Sequence, residues 1–226
     1  MDRRKFTIGI AVSTLGSAGP AAAARPRASS PIDVDVTGIA EGRRWDLYGR
    51  NAGVLESHAR RAIRFDEARG SGLALLRGMQ FSNGAIECDF RGQDVLQRSF
   101  LGIAFHDRDE GAADVVYFRP FNFRTSDPVR RAHAVQYMSP PEFGWKKLRE
   151  ERPGRYEKPV DPVPDPDGWF RARIVVDGRN VAVFVNDGAR PCLEVAKLND
   201  RTTGRIGLWV GDESGGDFAN LRVIPG

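Results

Sequence analysis

The 226-residue chain is long enough for one β-rich domain, or two small ones, with a sizeable hydrophobic core. Its composition of 41% hydrophobic and 28% charged residues excludes a disordered chain and a polytopic membrane protein. Two cysteines and three histidines are too few for a disulfide-stapled miniature domain or a histidine-rich metal centre. The formal net charge of +4, from 34 basic and 30 acidic residues, is too small for a basic nucleic-acid-binding stripe. We therefore expect no nucleic-acid partner.

The first 24 residues have the organisation of an export signal. Residues 2–6 read Asp-Arg-Arg-Lys-Phe, a weakly apolar run follows over residues 7–18, and residues 21–24 are four alanines suited to signal-peptidase cleavage. Paired arginines before such a run are typical of the twin-arginine route, although Asp stands where that pattern usually has Ser or Thr. No later stretch reaches the roughly 18 apolar residues that a spanning helix needs. The sequence therefore predicts a periplasmic or secreted protein with no membrane span after cleavage.

The rest of the chain is dominated by a hydrophobic period of two. Residues 25–44 are predicted to form a linker and a first strand, and alternation is clear in residues 85–91, where Ile86, Cys88 and Phe90 face one way. The same alternation recurs in residues 100–106, 115–119, 169–176, 181–185, 205–211 and 218–224. Many short strands separated by Gly and Asp turns predict an all-β fold, a single jelly-roll antiparallel β-sandwich over residues 45–226.

One segment, residues 138–168, interrupts this pattern. It holds seven of the fourteen prolines together with Phe143, Trp145 and Tyr156. A loop of this length in a compact domain is usually functional or disordered, and the aromatic residues argue against simple disorder. We therefore expect a covering loop over one face of a sheet.

Three segments carry a resemblance to a known fold family. Residues 81–92 read FSNGAIECDFRG, residues 99–106 read SFLGIAFH, and residues 204–225 contain GRIGLWVG followed by SGGDFANLRVIP. Together they resemble the concanavalin A-like jelly rolls, in particular the LamG-like and 3-keto-disaccharide hydrolase domain group, and more distantly the family-sixteen glycoside hydrolases. The resemblance spans about residues 45–225 and implies carbohydrate recognition on the concave sheet.

The resemblance also implies candidate catalytic residues. Family-sixteen enzymes carry Glu-x-Asp-x-x-Glu on one strand, and Glu87 and Asp89 fit the first two positions, whereas Arg91 and Gly92 stand where the third carboxylate belongs. This departure argues against double displacement at the anomeric carbon. The keto-disaccharide hydrolases imply instead the elimination of the aglycone from a sugar oxidised at C3, which needs a base and an enolate stabiliser.

The residues themselves leave two interpretations of these acidic positions open. Glu87 and Asp89 leave the same face of a strand about 7 Å apart, so that one of them could act as base or acid. They could equally form a solvated outer face neutralised by Arg91. His106 ends the following strand with the same outward parity, so we expect it near Glu87 as a proton shuttle, with a structural histidine as the alternative.

The candidate substrate-binding residues come from four further segments. In residues 117–123 three phenylalanines interleave with Tyr117, Arg119 and Asn122, whose polar groups suit sugar hydroxyls or an oxyanion. The alternative for this segment is an aromatic core strand with surface pairs. The predicted set is completed by Gln136 (with Tyr137 in the core), Trp145 as a sugar-stacking platform or a loop anchor, and Trp209.

Other ligands and links are less clearly indicated. Asp107-Arg-Asp-Glu110 could ligate a structural calcium ion, but an ordinary polar turn is the favoured interpretation, and no other metal or cofactor is evident. Cys88 faces the predicted core, and whether it pairs with Cys192 stays open. The sequence therefore predicts an extracytoplasmic protein that binds oligosaccharides or glycosides. Cleavage of the ligand is the leading hypothesis, and a non-catalytic lectin-like module is the alternative. A structural or adhesion domain whose long loop meets a protein partner is the third possibility, and the oligomeric state is not indicated.

Overall fold

The computed structural model describes residues 30–57, 60–108 and 111–226. The predicted export signal, residues 1–24, lies outside the described residues. Within the described part of the chain, no helix is long and apolar enough to cross a membrane.

In these residues the chain forms fifteen strands and two short α-helices. The strands are β1 (Ile32–Val34), β2 (Trp45–Tyr48), β3 (Ala52–Ser57), β4 (Arg60–Phe65), β5 (Gly72–Leu76), β6 (Gly84–Arg91), β7 (Leu101–Asp107), β8 (Asp114–Phe118), β9 (Val135–Met138), β10 (Glu157–Lys158), β11 (Trp169–Asp177), β12 (Asn180–Val185), β13 (Leu193–Ala196), β14 (Arg205–Val210) and β15 (Gly216–Pro225). The helices are α1 (Pro128–Arg131) and α2 (Trp145–Glu151), and 3-10 turns cover Thr37–Ile39 and Pro120–Asn122.

The strands form two antiparallel sheets. Sheet A has the order β13-β12-β11-β6-β15-β4-β3, with β1 also paired to β15, and sheet B has the order β10-β9-β8-β7-β14-β5-β2. Strands adjacent in sheet A are often far apart in sequence, since β6 lies between β11 and β15. The prediction of an all-β antiparallel sandwich is confirmed.

The core lies between the inner faces of the two sheets. Phe90 of sheet A is fully buried, and its ring centre lies 5.6 Å from that of Phe118 in sheet B, 5.5 Å from Phe170 and 5.6 Å from Phe218. Burying each such ring contributes about 1.5–3 kcal/mol to folding. The hydrophobic period of two in the sequence reflects this packing, because alternate residues of a strand share the face that meets the other sheet.

The predicted hairpin after Trp169 is confirmed as β11 and β12. Asp177 and Asn180 pair directly, so the connecting turn has two residues, Gly178 and Arg179. Gly178 has φ of +56°, the left-handed conformation that a glycine adopts without steric cost and that tight hairpin turns require.

The proline-rich segment is more regular than a loop. It contains α2 and β10, and β10 adds an edge strand to sheet B by pairing Glu157 with Gln136. Leu148 and Tyr156 are buried, which anchors the segment to the rest of the domain. The segment is thus held at the β9 edge of sheet B by a helix and a short strand.

Both cysteines are free thiols. Cys88 is fully buried in the core, and burial raises the pKa of its thiol. Burial raises the pKa of Cys192 to about 11. The Cys88–Cys192 disulfide that the sequence left open is therefore not formed.

Candidate functional site

The outer face of sheet A carries two polar depressions that share Arg171. The larger has a volume of about 650 Å³ and the smaller about 290 Å³. Charged side chains that line the larger depression are Asp33, Asp35, Arg61, Glu87, Arg171 and Arg222. The smaller is lined by Asp89, Trp169, Arg171, Asn186 and Asp187. We refer to the larger depression as the groove.

Most charges of the groove are held by local partners. Arg222 Nε lies 2.7 Å from Asp33 Oδ1, and Asp35 accepts hydrogen bonds from the Thr37 hydroxyl at 2.6 Å and the Thr37 amide at 3.0 Å. The hydrogen bond from the Thr37 side chain holds the pKa of Asp35 below its usual value, and the bond to Asp33 raises the pKa of Arg222. Local partners therefore favour the charged forms of Asp35 and Arg222.

Glu87 is the exception. It lies directly opposite Arg173 on β11 and Arg222 on β15, yet neither arginine bonds to it. Arg173 places its guanidinium 4.0 Å from the centre of the Phe184 ring, and Arg222 bonds to Asp33. Among the described residues, the Glu87 carboxylate makes no hydrogen bond or ion pair. It is therefore an acceptor available to a ligand in the groove.

Asp89 shares the outer face with Glu87, as the alternation predicts, but its surroundings differ. It is 3% exposed and accepts hydrogen bonds from Arg171 Nε at 2.7 Å and from Asn220 Nδ2 at 2.7 Å. The expected neutralising residue, Arg91, bonds instead to Asp217 at 2.6 and 2.8 Å. Asp89 therefore fixes the positions of two groove side chains.

A β-bulge in β15 brings Asn220 to Asp89. Ala219 pairs with Asp89 and Arg222 with Glu87, so β15 has one extra residue in this interval. Asn220 has φ of +50°, a conformation that asparagine tolerates better than most residues. A bulge of this kind re-aims side chains and is common beside functional sites.

His106 does not belong to this face. It lies on β7 of sheet B and is fully buried, so the expectation that it lies near Glu87 is wrong. The reason is a second bulge, where Arg205 pairs with Asp107 and Gly207 with Ala104, and His106 takes φ of +54°. The bulge shifts the alternation of β7, so the His106 side chain points into the protein instead of outward.

The His106 ring is bonded on both sides. Nε2 lies 2.8 Å from the Ser82 carbonyl oxygen, so it carries the proton and donates, and Nδ1 accepts from Lys197 Nζ at 2.7 Å. Lys197 is 3% exposed, and burial lowers its pKa, although Asp114 Oδ2 lies 3.4 Å away. These groups join the end of β13 in sheet A to sheet B, and no ligand in the groove can exchange a proton with His106.

Asp114 is the centre of this buried network. It is fully buried, and its Oδ1 accepts hydrogen bonds from the Tyr137 hydroxyl at 2.5 Å and Asn199 Nδ2 at 2.5 Å. Arg201 Nη2 lies 3.5 Å from the same oxygen. Burial raises the pKa of the Tyr137 hydroxyl, which keeps it a hydrogen-bond donor. The network has the form of a structural ion cluster.

The outer face of sheet B brings together four of the predicted substrate-binding residues. The Tyr117 hydroxyl donates to Gln136 Oε1 at 2.7 Å, and Arg119 Nη2 donates to both oxygens at 2.5 Å. The Trp209 ring centre lies 5.0 Å from that of Tyr117. Tyr117, Arg119 and Gln136 are 2%, 4% and 0% exposed, so their polar groups bond to one another. Burial raises the pKa of Tyr117 to about 12.

The other two predicted binding residues lie at the edge of this cluster. Asn122 shares the His133 carbonyl oxygen with Arg119, and Trp145 contacts Arg149, which pairs with Glu157. Asn122 donates from Nδ2 to the His133 carbonyl oxygen at 3.3 Å and accepts from Arg130 Nε at 3.2 Å. Trp145 begins α2, is 49% exposed, and has the Arg149 guanidinium 5.3 Å from its ring centre. The predicted acidic and sugar-binding residues thus lie on opposite outer faces of the sandwich.

The structure describes only the first two residues, 107 and 108, of the segment suggested for calcium. Asp107 Oδ2 lies 2.8 Å from Arg205 Nη2, which supplies its counter-charge. Residues 109 and 110 lie outside the described residues. In the part of the chain that the structure describes, no three His, Cys, Asp or Glu side chains are grouped to hold a metal ion.

The sequence interpretation missed Arg171, Trp169, Asn220 and Arg222. The outward parity of Arg171 in the hairpin was a signal, but the alternation of one strand does not identify its neighbours. Only the pairing of β6 with β11 and β15 places these side chains around Glu87 and Asp89.

Comparisons with known proteins define the fold. No protein-family model matches the chain, and no curated protein matches it significantly. A Bacillus subtilis protein of unknown function with a galectin-like fold matches with a TM-score of 0.59 and 14% identity, over 88% of this chain and 97% of that one. The carbohydrate-binding module CBM66 from Bacillus subtilis matches with 0.52 and 15%, over 80% and 95%. A variant of the Emp46p carbohydrate recognition domain matches with 0.52 and 13%, over 85% and 92%. At these identities the likeness establishes a galectin-like jelly-roll β-sandwich.

Proposed function

We propose that the protein is an extracytoplasmic carbohydrate-binding protein, and that its ligand lies in the groove on the outer face of sheet A. The observation that carries this proposal is the 650 Å³ groove lined by arginine and carboxylate side chains around the unpaired Glu87. Two proteins of similar fold are described as a carbohydrate-binding module and a carbohydrate recognition domain, which supports the same ligand class. The location rests on the export signal predicted in residues 1–24.

The groove chemistry suits sugar hydroxyls. A hydroxyl both donates and accepts, so it can donate to the Glu87 carboxylate and accept from a guanidinium such as Arg171. Hydrogen bonds to charged groups are about twice as strong as neutral ones. Because Asp89, which also accepts a hydrogen bond from Asn220, holds Arg171 in place, little side-chain entropy is lost when a ligand binds.

Binding without cleavage agrees best with this geometry. Glycoside cleavage needs two groups that change protonation during the reaction. Asp89 is ion-paired with Arg171, the bond to Asp89 raises the pKa of Arg171, and His106 is sealed in the core. Glu87 is thus left without a partner acid or base in the groove.

Cleavage by elimination is the second candidate, and the unpaired carboxylate of Glu87 favours it. In a sugar with a ketone at C3, Glu87 would take the acidic proton from the neighbouring carbon. The electron pair would form a carbon–carbon double bond as the glycosidic C–O bond breaks, and the aglycone oxygen would take up a proton from solvent. A guanidinium such as Arg171 would stabilise the enolate.

The test compares ligand binding and turnover in matched variants. Glycan-array binding followed by titration calorimetry should show about tenfold weaker binding for Glu87→Gln. Glu194→Gln, an exposed change of the same kind on β13 of the same sheet, should bind like the original protein. Loss of binding in Trp145→Ala, with Glu87→Gln unaffected, would place the ligand on sheet B. Mass spectrometry with unmodified and 3-keto disaccharides tests cleavage, and aglycone release lost in Glu87→Gln would establish it.

A further inference from the structure

The groove and the smaller depression form a continuous path across sheet A. They share Arg171, and their lining side chains come from β1, β4, β15, β6 and β11 and from the segments that follow β1 and β12. Trp169 pairs with Arg91, which lies four residues along β6 from Glu87. At about 3.4 Å per residue along a strand and about 4.8 Å between strands, Glu87 and Trp169 are roughly 14 Å apart. A sugar ring is about as long as one strand spacing, about 5 Å, so this length has room for roughly three rings joined end to end.

The charges of the groove balance. Arg61, Arg171 and Arg222 face Asp33, Asp35 and Glu87, so the lining of the groove has no net charge, and the smaller depression adds the carboxylates of Asp89 and Asp187. The arginines are already engaged by local partners, whereas the Glu87 carboxylate is open to the ligand. An anionic sugar would meet this carboxylate at the cost of like-charge repulsion, and an uncharged one would donate a hydroxyl to it.

Trp169 stands at the far end of the path. It lines the smaller depression and lies directly opposite Arg91, whose guanidinium carbon is 5.0 Å from its ring centre. Arg91 is itself fixed by two bonds to Asp217, of 2.6 and 2.8 Å. An indole held in this way offers a rigid apolar platform to the C–H face of a sugar.

We propose that the two depressions are one track for a linear, uncharged oligosaccharide of about three units, with Glu87 towards one end and Trp169 at the other. The proposal rests on the carbohydrate-binding function proposed above, and it adds the charge and the length of the ligand.

The test uses two series of probes with the full-length mature protein. One series consists of linear gluco- and fructo-oligosaccharides of one to five units, and the other of oligogalacturonides of the same lengths. Titration calorimetry should show affinity for a neutral series rising up to about three units and then levelling. Oligogalacturonides should bind at least about tenfold more weakly, because their carboxylates meet Glu87.

Three variants locate the ends of the track. Trp169→Ala should weaken trisaccharide binding about tenfold and leave monosaccharide binding unchanged. Asp187→Asn changes an exposed residue at the same end and should also weaken trisaccharide binding while leaving monosaccharide binding unchanged. This variant tests the same prediction if Trp169→Ala unfolds the domain. Glu87→Gln should reduce the difference in affinity between the neutral oligosaccharides and the oligogalacturonides. Glu194→Gln on β13 should leave that difference unchanged.

The outcomes separate the two proposals. Affinity that does not change with length, or equal affinity for oligogalacturonides, would overturn the track while binding still depended on Glu87. Absence of binding to every probe, or binding insensitive to all groove variants, would overturn the proposed function and the track with it.

Discussion

Asp89 and Arg171 lie directly opposite each other on β6 and β11, and Arg171 Nε donates to Asp89 Oδ1 at 2.7 Å. The same carboxylate receives the Asn220 amide at 2.7 Å. Asp89 therefore connects two strands of sheet A that each contribute a side chain to the groove. In this arrangement Asp89 is a positioning residue, and Arg171 and Glu87 are the groups offered to the ligand.

Asp89→Asn is expected to weaken both folding and glycan binding. Hydrogen bonds to charged groups contribute about 1.5–3 kcal/mol, so the free energy of unfolding should fall by about that amount. Glycan affinity should fall about tenfold because Arg171 is released. Urea denaturation and titration calorimetry measure the two effects. Lower stability with unchanged affinity would mean that the pair is only structural.

The bulge at Asn220 predicts opposite outcomes for two substitutions. Asn220→Gly keeps the left-handed backbone at φ of +50° and removes only the amide that donates to Asp89. Asn220→Val forces a β-branched residue into that conformation, which should lower the free energy of unfolding by about 1–2 kcal/mol more. Thermal unfolding compares the two variants. Equal stabilities would show that the bulge relaxes without cost.

The buried network around Asp114 predicts a large single-site effect. Asp114→Asn leaves the ammonium of Lys197, 3.4 Å away and 3% exposed, without its counter-charge. Breaking a buried pair in this way costs about 3–5 kcal/mol. The double variant Asp114→Asn, Lys197→Met should recover part of the loss, since the uncompensated charge is gone. A double-mutant cycle by urea denaturation measures the coupling energy between Asp114 and Lys197. Simple additivity of the two single losses would contradict the prediction.

The Asp114 carboxylate should also make the protein less stable in acid. Burial raises the pKa of Asp114, but contacts with His106 and Tyr137 and the charges of Lys197 and Arg201 lower it by more. The net result is a pKa below the usual 3.8. A folded-state pKa below the unfolded value adds stability that is fully present above about pH 4 and is lost as the pH falls through the folded pKa. Asp114→Asn should lose this part of the pH dependence. Unfolding curves between pH 2 and 6, on the order of one per half unit, check it.

The local alternation of the sequence predicts the inner and outer residues of most strands. Ile86, Cys88 and Phe90 are buried, and Glu87 and Asp89 lie on the outer face, because a strand has a strict period of two. That rule uses only neighbouring residues, so it holds wherever the strand is regular.

The rule fails where pairing between distant segments decides the structure. His106 turns inward because β7 bulges against β14, which lies about a hundred residues later, a relation that local alternation does not contain. The neighbours of Glu87 come from β11 and β15 for the same reason. Outward parity also does not guarantee exposure, since Arg119 and Gln136 face outward from sheet B and are covered.

Arg119→Lys distinguishes the two outer faces as ligand sites. Arg119 donates from Nη2 to Tyr117 and Gln136 and from Nη1 to the His133 carbonyl oxygen at 2.7 Å, and a lysine cannot reproduce this planar set of bonds. If the cluster is part of the fold, the substitution should lower the free energy of unfolding by about 1.5–3 kcal/mol and leave glycan affinity unchanged. Urea denaturation and titration calorimetry measure both quantities. A large loss of affinity at unchanged stability would assign the ligand to sheet B, because it would show that the guanidinium serves the ligand and not the fold.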